Sequence, residues 1–276
     1  MSGVPKGQHV EMKTGSWCGD RPFSLGFPSD WPVTVLGREP APPLSAEELA
    51  HAIENPTEGL PLAELLTSEK SLAVLIDDHT RPTPVRAALG EVLRLARSAG
   101  IPASRIKVVV ALGTHILEEP SLMREKMGAL FDCGVDLIFP NAHDDGTLIP
   151  MGDTPGGFPL EVNRQFAGAD VRVTISGIYP HDDVGFSGGA KILIGALGLR
   201  TISALHRAHQ PLLRGSVVEC DFRSELEAIA DIVGVDCSIN LVLNQNKEVT
   251  AAVSGTCRPA FRRAVSLCQR SQGVRL

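Results

Sequence analysis

Between residues 71 and 209, short runs of consecutive apolar positions alternate with segments whose apolar positions recur every three or four residues. The runs are "SLAVLIDD" (71–78), "RIKVVVALGTH" (105–115), "VDLIFPNAHD" (135–144) and "VRVTISGIYPH" (171–181). The periodic segments are "PVRAALGEVLRLARSAGI" (84–101), "PSLMREKMGALFDCG" (120–134) and "AKILIGALGLRTISALHRAH" (190–209). Runs of the first kind suit strands buried on both faces, and segments of the second suit amphipathic helices. Parallel strands need crossover connections and are covered on both sides, so the alternation predicts an α/β fold with a largely parallel sheet and helices on both faces.

The flanks differ. Residues 1–45 are rich in Gly, Pro and scattered aromatics, as in "SWCGDRPFSLGFPSDWPVTVL", and read as an irregular β segment closed by "REPAPPL". "SAEELAHAIENP" then opens a helix with Ser45 as N-cap and stops at Pro56. After residue 209 the pattern predicts a helix at "RSELEAIADIVG", a hairpin at "CSINLVLNQNKEVTAAVSG" and a last helix near "RPAFRRAVSLC". Residues 1–276 are expected to form one domain, with 1–45 as a β extension and 46–276 as the α/β core.

Composition narrows the function. A net charge of −6 with no Lys/Arg-rich run lacks the electrostatic footprint of a nucleic-acid binder, and 4% aromatics gives little for base stacking. The longest apolar stretches fall well short of the roughly 20 residues of a bilayer span, and the N-terminus has no apolar core of a secretory signal. The expectation is a cytoplasmic protein without membrane or nucleic-acid partners. Six cysteines (Cys18, Cys133, Cys220, Cys237, Cys257, Cys268) form no C-x-x-C pair and read as free thiols.

Candidate chemistry gathers where the strands are predicted to end, the place where open α/β sheets bind ligands. Asp77, Asp78, His79, Thr80 and Arg81 follow the first run, and Thr114 and His115 the second. Asn141, His143 and Asp144 follow the third, and His181 the fourth. Strand ends are solvated and attract polar residues in any case, but His115 and His181 form a pair whose ordinary pKa near 6.5 suits proton transfer around neutrality. Adjacent residues on an extended segment face opposite ways, which separates Asp77 from Asp78. Arg81, behind Pro82, either clamps an anion or closes the turn through Asp78.

The stretch "YPHDDVGFSGGAKILIGALG" (179–198) departs from the phosphate loop G-x-x-x-x-G-K-[ST]: Lys191 follows "GGA" and Ile192 replaces the hydroxyl residue. Ser187, Gly188 and Gly189 before a helix offer an anion seat or, equally, close packing. Lys191 in a first helical turn would be disfavoured as a cation, and a neutral amine is a nucleophile. His206 lies fifteen residues on, about four turns of a continuous helix.

In order and spacing, "DDHTRP", "ALGTH", "NAHD", "YPHDDVGFSGGAKIL" and "TISALH" resemble the nickel-dependent lactate racemase family, over its N-terminal domain. The resemblance implies a nickel-pincer nucleotide, a pyridinium mononucleotide joined to Lys191 through a thioamide, with His206 completing the nickel coordination. It implies His115 and His181 as acid/base residues on opposite sides of the substrate carbon, and Asp78, Thr80 and Arg81 lining the pocket, with Ser187, Gly188 and Gly189 admitting the nucleotide phosphate. The activity implied is racemisation or epimerisation of a small 2-hydroxy acid, served by cofactor-building enzymes.

The chain departs from the family twice. It carries Ile194 and Gly195 where members usually have a proline before the glycine, with one residue fewer before His206. The family's second α/β domain, which closes over the substrate, is absent from the chain, so a separate closing domain or chain is expected. Two other readings stand beside the racemase: a family member that binds the nucleotide without turnover, and a zinc-dependent hydrolase using His115, His143 and His181 with Asp78.

Overall fold

The computed structural model describes residues 7–13, 22–35, 41–117, 119–209 and 218–272. Its first element is a hairpin of β1 (Gln8–Lys13) and β2 (Pro22–Phe27), the described part of the expected β extension. Cys18 lies outside the described residues. Helix α1 (Ala46–Glu54) starts at Ser45, whose hydroxyl accepts from the Glu48 N–H while the Glu48 carboxylate accepts from the Ser45 N–H. This reciprocal cap satisfies two otherwise orphaned donors. The short α2 (Leu62–Leu65) leads into the sheet.

A six-stranded sheet forms the centre. Its strands are β3 (Leu72–Asp77), β4 (Ile106–Ala111), β5 (Asp136–Ile138), β8 (Val171–Ile178), β11 (Cys237–Leu243) and β12 (Val249–Val253), in the order β12-β11-β8-β3-β4-β5. All neighbours are parallel except β11 and β12, which form the expected hairpin. The mostly parallel sheet predicted from the apolar runs is therefore present, and β11, where the pattern predicts only a hairpin, adds a fifth parallel strand. The third run is strand only over three residues, because "FPNAHD" turns away at Phe139.

Alternation along β3 sorts its side chains between two cores. Leu72, Val74 and Ile76 pack with α1, α3 (Arg86–Ser98) and α4 (Pro120–Met127). Ala73 and Leu75 face α5 (Arg164–Ala167), α6 (Leu199–Ala208) and α7 (Asp221–Val233). Helix α8 (Cys257–Gln272) covers Val242 and Val253 at the antiparallel edge. Every β3 position is buried, the condition of a strand roofed on both faces. A hairpin of β6 (Leu148–Asp153) and β7 (Pro159–Asn163) precedes α5, and the two-residue strands β9 (Pro180–His181) and β10 (Gly185–Phe186) pair antiparallel just after β8.

One predicted helix is two elements. Residues 190–209 do not run as one α-helix: Gly189–Ala196 is a 3₁₀ segment, the chain is extended at Leu197 and Gly198, and α6 begins at Leu199. Two contacts impose the break. The Gly198 N–H donates to the Glu161 carbonyl, and Leu197 bridges to Val162, both on β7. Among the described residues no helix is long and apolar enough to cross a membrane. Cys237 and Cys257 are buried free thiols, and burial pushes Cys237 up to about 11 and Cys257 up to about 12, while the buried Cys268 thiol donates to the Ile178 carbonyl at 3.4 Å.

Candidate functional site

From β3 the chain moves outward to β4 and β5, then returns to the other side of β3 as β8. Loops leaving β3 and β8 therefore diverge, and a crevice opens at the carboxyl ends of these strands. A cleft of about 340 Å³ occupies that position, lined by Asp77, Arg81, the 111–115 segment, His181, Asp183, Lys191, Ile192, Ile194, Gly195, Ile202, Ser203 and His206. The structure thus brings His115, His181, Lys191, His206 and Arg81 together from four separate segments. A larger hollow of about 670 Å³, between α1, α3 and the β11–β12 turn, has none of these groups.

The loop after β3 is held from both sides. Asp77 Oδ2 accepts from the Thr83 hydroxyl at 2.5 Å and from the Gly177 N–H at 3.0 Å, which joins β3 to β8 across the point of divergence. Asp78 turns the other way. Its Oδ1 accepts from the Thr80 N–H (2.9 Å) and hydroxyl (2.6 Å), and its Oδ2 lies 2.6 Å from His115 Nδ1. The two acids are separated as their adjacency on a strand requires, and the Asp78 carboxylate is engaged with Thr80 and His115, not with Arg81. Lys126, buried on α4, donates its ammonium to the Asp78 and Arg81 carbonyls and fixes the loop from behind. Nothing in the spacing of the sequence pointed to that lysine.

Burial acts against the Asp78 carboxylate, but the bonds from Thr80 and His115 outweigh it and hold its pKa below the ordinary value. A carboxylate only accepts, so His115 Nδ1 carries the proton and Nε2 is the free base. His206 is set the same way: Nδ1 donates to the Ile202 carbonyl at 2.9 Å, leaving Nε2 unprotonated. His181 is placed differently: its Nδ1 lies 3.2 Å from the Asp183 N–H and 3.1 Å from Asp182 Oδ1, a donor and an acceptor on the same nitrogen.

The expectation that both imidazoles titrate near 6.5 does not hold for His181. Burial, then the charges of Lys191 and Arg81, push it down to about 4 despite Asp182 and Asp183. Lys191 is lowered to about 8, chiefly by burial and then by Arg81, partly offset by Asp77. The predicted direction is present, but the cause is desolvation in a 3₁₀ turn, not the dipole of an α-helix.

Ser187, Gly188 and Gly189 lie beside this cleft, not on its lining. The Ser187 hydroxyl donates to the Gly177 carbonyl at 2.6 Å and accepts from the Tyr179 N–H, and the Gly189 N–H donates to Asn240 Oδ1 at 2.9 Å. Gly188 and Gly189 have φ of 79° and 54°, and a Cβ on either would fall within 3 Å of Ile178 or Phe261. Left-handed backbone and close packing require glycine at both. His143 and Asn141 line a neighbouring hollow that shares only the 112–115 segment with the cleft. Among the described residues, one trio of potential metal ligands converges, His181, Asp182 and Asp183, and it excludes His143 and Asp78.

These features define an open α/β domain whose switch-point crevice holds a desolvated amine among three imidazoles. The family model of the lactate racemase N-terminal domain matches residues 18–213, and the chain belongs to that family. It is 27% identical over 221 residues to the lactate racemase of Lactiplantibacillus plantarum, covering 78% of this chain and 52% of that protein. It is 28% identical over 218 residues to the lactate racemase of Thermoanaerobacterium thermosaccharolyticum, covering 77% and 51%. The chain spans about half the length of these curated relatives.

Among solved structures, the lactate racemase apoprotein from Thermoanaerobacterium thermosaccharolyticum superposes with a TM-score of 0.81 at 22% identity, covering 97% of this chain and 63% of that one. A protein from Thermotoga maritima gives 0.63 at 20% identity, covering 86% and 61%. These likenesses bear out the fold.

Proposed function

We propose that the cleft is the cofactor- and substrate-binding half of a racemase or epimerase acting on a small, lactate-like 2-hydroxy acid. The observation that carries this reading is the convergence of Lys191, His206, His115, His181 and Arg81 on one crevice in a chain of the lactate racemase family. The residues present fit a lysine-tethered nickel nucleotide. Lys191 has a pKa of about 8, which leaves an appreciable fraction of its amine neutral and able to form a covalent link near neutrality. His206 offers an unprotonated Nε2 oriented by a backbone carbonyl, a common arrangement for a metal-binding imidazole. When bound, the group supplies a hydride acceptor and donor for the substrate carbon.

The chain's own residues handle charge and protons. Arg81 pairs with the substrate carboxylate through its fork of donors. His115, its Nδ1–H held by Asp78, takes the hydroxyl proton at Nε2 from one enantiomer, because a 2-hydroxy acid yields its hydride readily only as that proton leaves. His181 serves the other enantiomer. Cofactor-building enzymes are the required partners, and a separate closing domain or chain is the expected one for full turnover. The zinc-hydrolase reading lacks its ligand set, since His143 and Asp78 are not gathered with His181.

The test is co-expression with cofactor-building enzymes followed by intact-mass and peptide analysis. A nucleotide-sized adduct on the Lys191 peptide, absent in Lys191→Arg, is the expected outcome. A folded chain that never acquires one would overturn the proposal, and an adduct without racemisation would favour the non-catalytic binder.

A further inference from the structure

The segment 181–191 carries both His181 and Lys191, and α6 carries His206. One turn of helix touches both. Arg223, in the first turn of α7, is fully buried. Its Nη1 donates to the Gly188 carbonyl at 3.0 Å, its Nη2 donates to the Phe186 carbonyl and lies 3.4 Å from that of Val184, and its guanidinium sits 4.1 Å over the Phe261 ring. Three alternate carbonyls of the loop are thus gathered by one planar cation, while its Nε has no partner. The neighbouring Phe222 faces the other way. Its ring meets His206 edge-on at 5.2 Å and stacks on His209 at 4.7 Å, with 6° between the planes. Both residues lie beyond the 18–213 span matched to the family model.

A buried arginine without a directly bonded carboxylate is expensive, and burial lowers its pKa to about 10. The bonds to the three carbonyls offset that cost, so the arginine is tied to the course of the loop it holds. We infer that Phe222 and Arg223 are positioning residues: the first turn of α7 is a two-sided clamp that sets the Lys191 loop against the His206 helix. Arg223 holds the three carbonyls ahead of Lys191, so the lysine enters the cleft from a fixed backbone. Phe222 limits the tilt of the His206 ring. Arg223 also adds a positive charge to those facing Lys191, where Arg81 acts in the same direction and Asp77 and Asp183 oppose it. The functional meaning of the clamp rests on the roles proposed above for Lys191 and His206, but its mechanics do not.

The test uses the full chain without cofactor, so it can fail independently of racemase activity. Amide hydrogen exchange is compared in wild type, Arg223→Lys, Arg223→Met and Phe222→Leu, together with the pH profile of Lys191 labelling by an amine-reactive acylating reagent. Arg223→Lys keeps the charge but loses the planar fork. It should accelerate exchange at residues 185–191 by about tenfold or more while β3 and β4 stay unchanged, since local opening is separable from global unfolding. Its Lys191 labelling midpoint should stay near the wild-type value, whereas Arg223→Met should move it upward. Phe222→Leu should accelerate exchange at 205–208 and leave 185–191 alone. Uniform acceleration across the sheet in Arg223→Lys, or unchanged exchange at 185–191, would overturn the inference. Should Arg223→Met fail to fold, the Arg223→Lys result decides.

Discussion

His115 and His181 differ in what holds Nδ1 of the ring. Asp78 can only accept, so it fixes His115 as a base at Nε2, whereas Nδ1 of His181 faces both the Asp183 N–H and the Asp182 carboxylate and is committed to neither tautomer. A ring fixed as a base beside one that can hold its proton on either nitrogen suits a reaction run on two enantiomers, where one ring must accept a proton as the other gives one. Asp78→Asn keeps an oxygen on the two Thr80 donors but turns an amide NH2, a donor, toward His115 Nδ1, so the ring must turn over or change tautomer. With the cofactor loaded, kcat should fall by roughly a hundred- to ten-thousand-fold, the range set by general acid/base contributions. KM should change little, because Arg81 still meets the carboxylate. Steady-state kinetics in both directions check this; an unchanged kcat would remove His115 from the proton-transfer role.

Gly195 is the contact on which the 3₁₀ segment rests against β4. A Cβ there would sit 2.2 Å from that of Ala111, and the Gly195 carbonyl accepts from the Gly113 N–H at 3.0 Å. Gly195→Ala must therefore lift the segment from the strand. Overpacking of this kind destabilises by about 1–3 kcal/mol, read as a lower denaturant midpoint at constant slope. Lys191 and His206 lie on either side of this contact, so cofactor attachment should fall further than stability does. The same region marks the limit of what the sequence discloses. Periodicity along 190–209 is continuous, and the break at Leu197–Gly198 comes from β7, some thirty-five residues earlier in the chain, through contacts that no local pattern carries. The strands were legible because burial on both faces demands uninterrupted apolar runs, and the strand-end residues followed from them. Arg223, Phe222 and Lys126 were not, because each acts on backbone or rings brought close only by the fold.

Across the whole molecule the groups of the cleft make stability depend on pH in one direction over a wide range. His181 has a folded pKa of about 4 against an ordinary 6.5, so the unfolded chain takes up that proton first; stability is full above 6.5 and declines as pH falls toward 4. Asp78, also lowered, extends the decline below its ordinary 3.8. Lys191 acts in the same sense higher up. With a folded pKa of about 8 against 10.5, its protonated form opposes folding below 8, and the opposition is relieved between 8 and 10.5. Cys237, Cys257 and Tyr179, all raised chiefly by burial, oppose the trend above their ordinary values of 9 and 10. Thermal stability of the unloaded chain should therefore rise from pH 6 to 6.5 and again from about pH 8 to about pH 9. Lys191→Met, similar in length and without charge, should melt higher than wild type at pH 7 and lose the rise between 8 and 9. Calorimetry of the two proteins at matched ionic strength decides it. A variant less stable than wild type at pH 7 would mean that the amine supports the fold, and the case that Lys191 is kept at the expense of stability for covalent chemistry would fail with it.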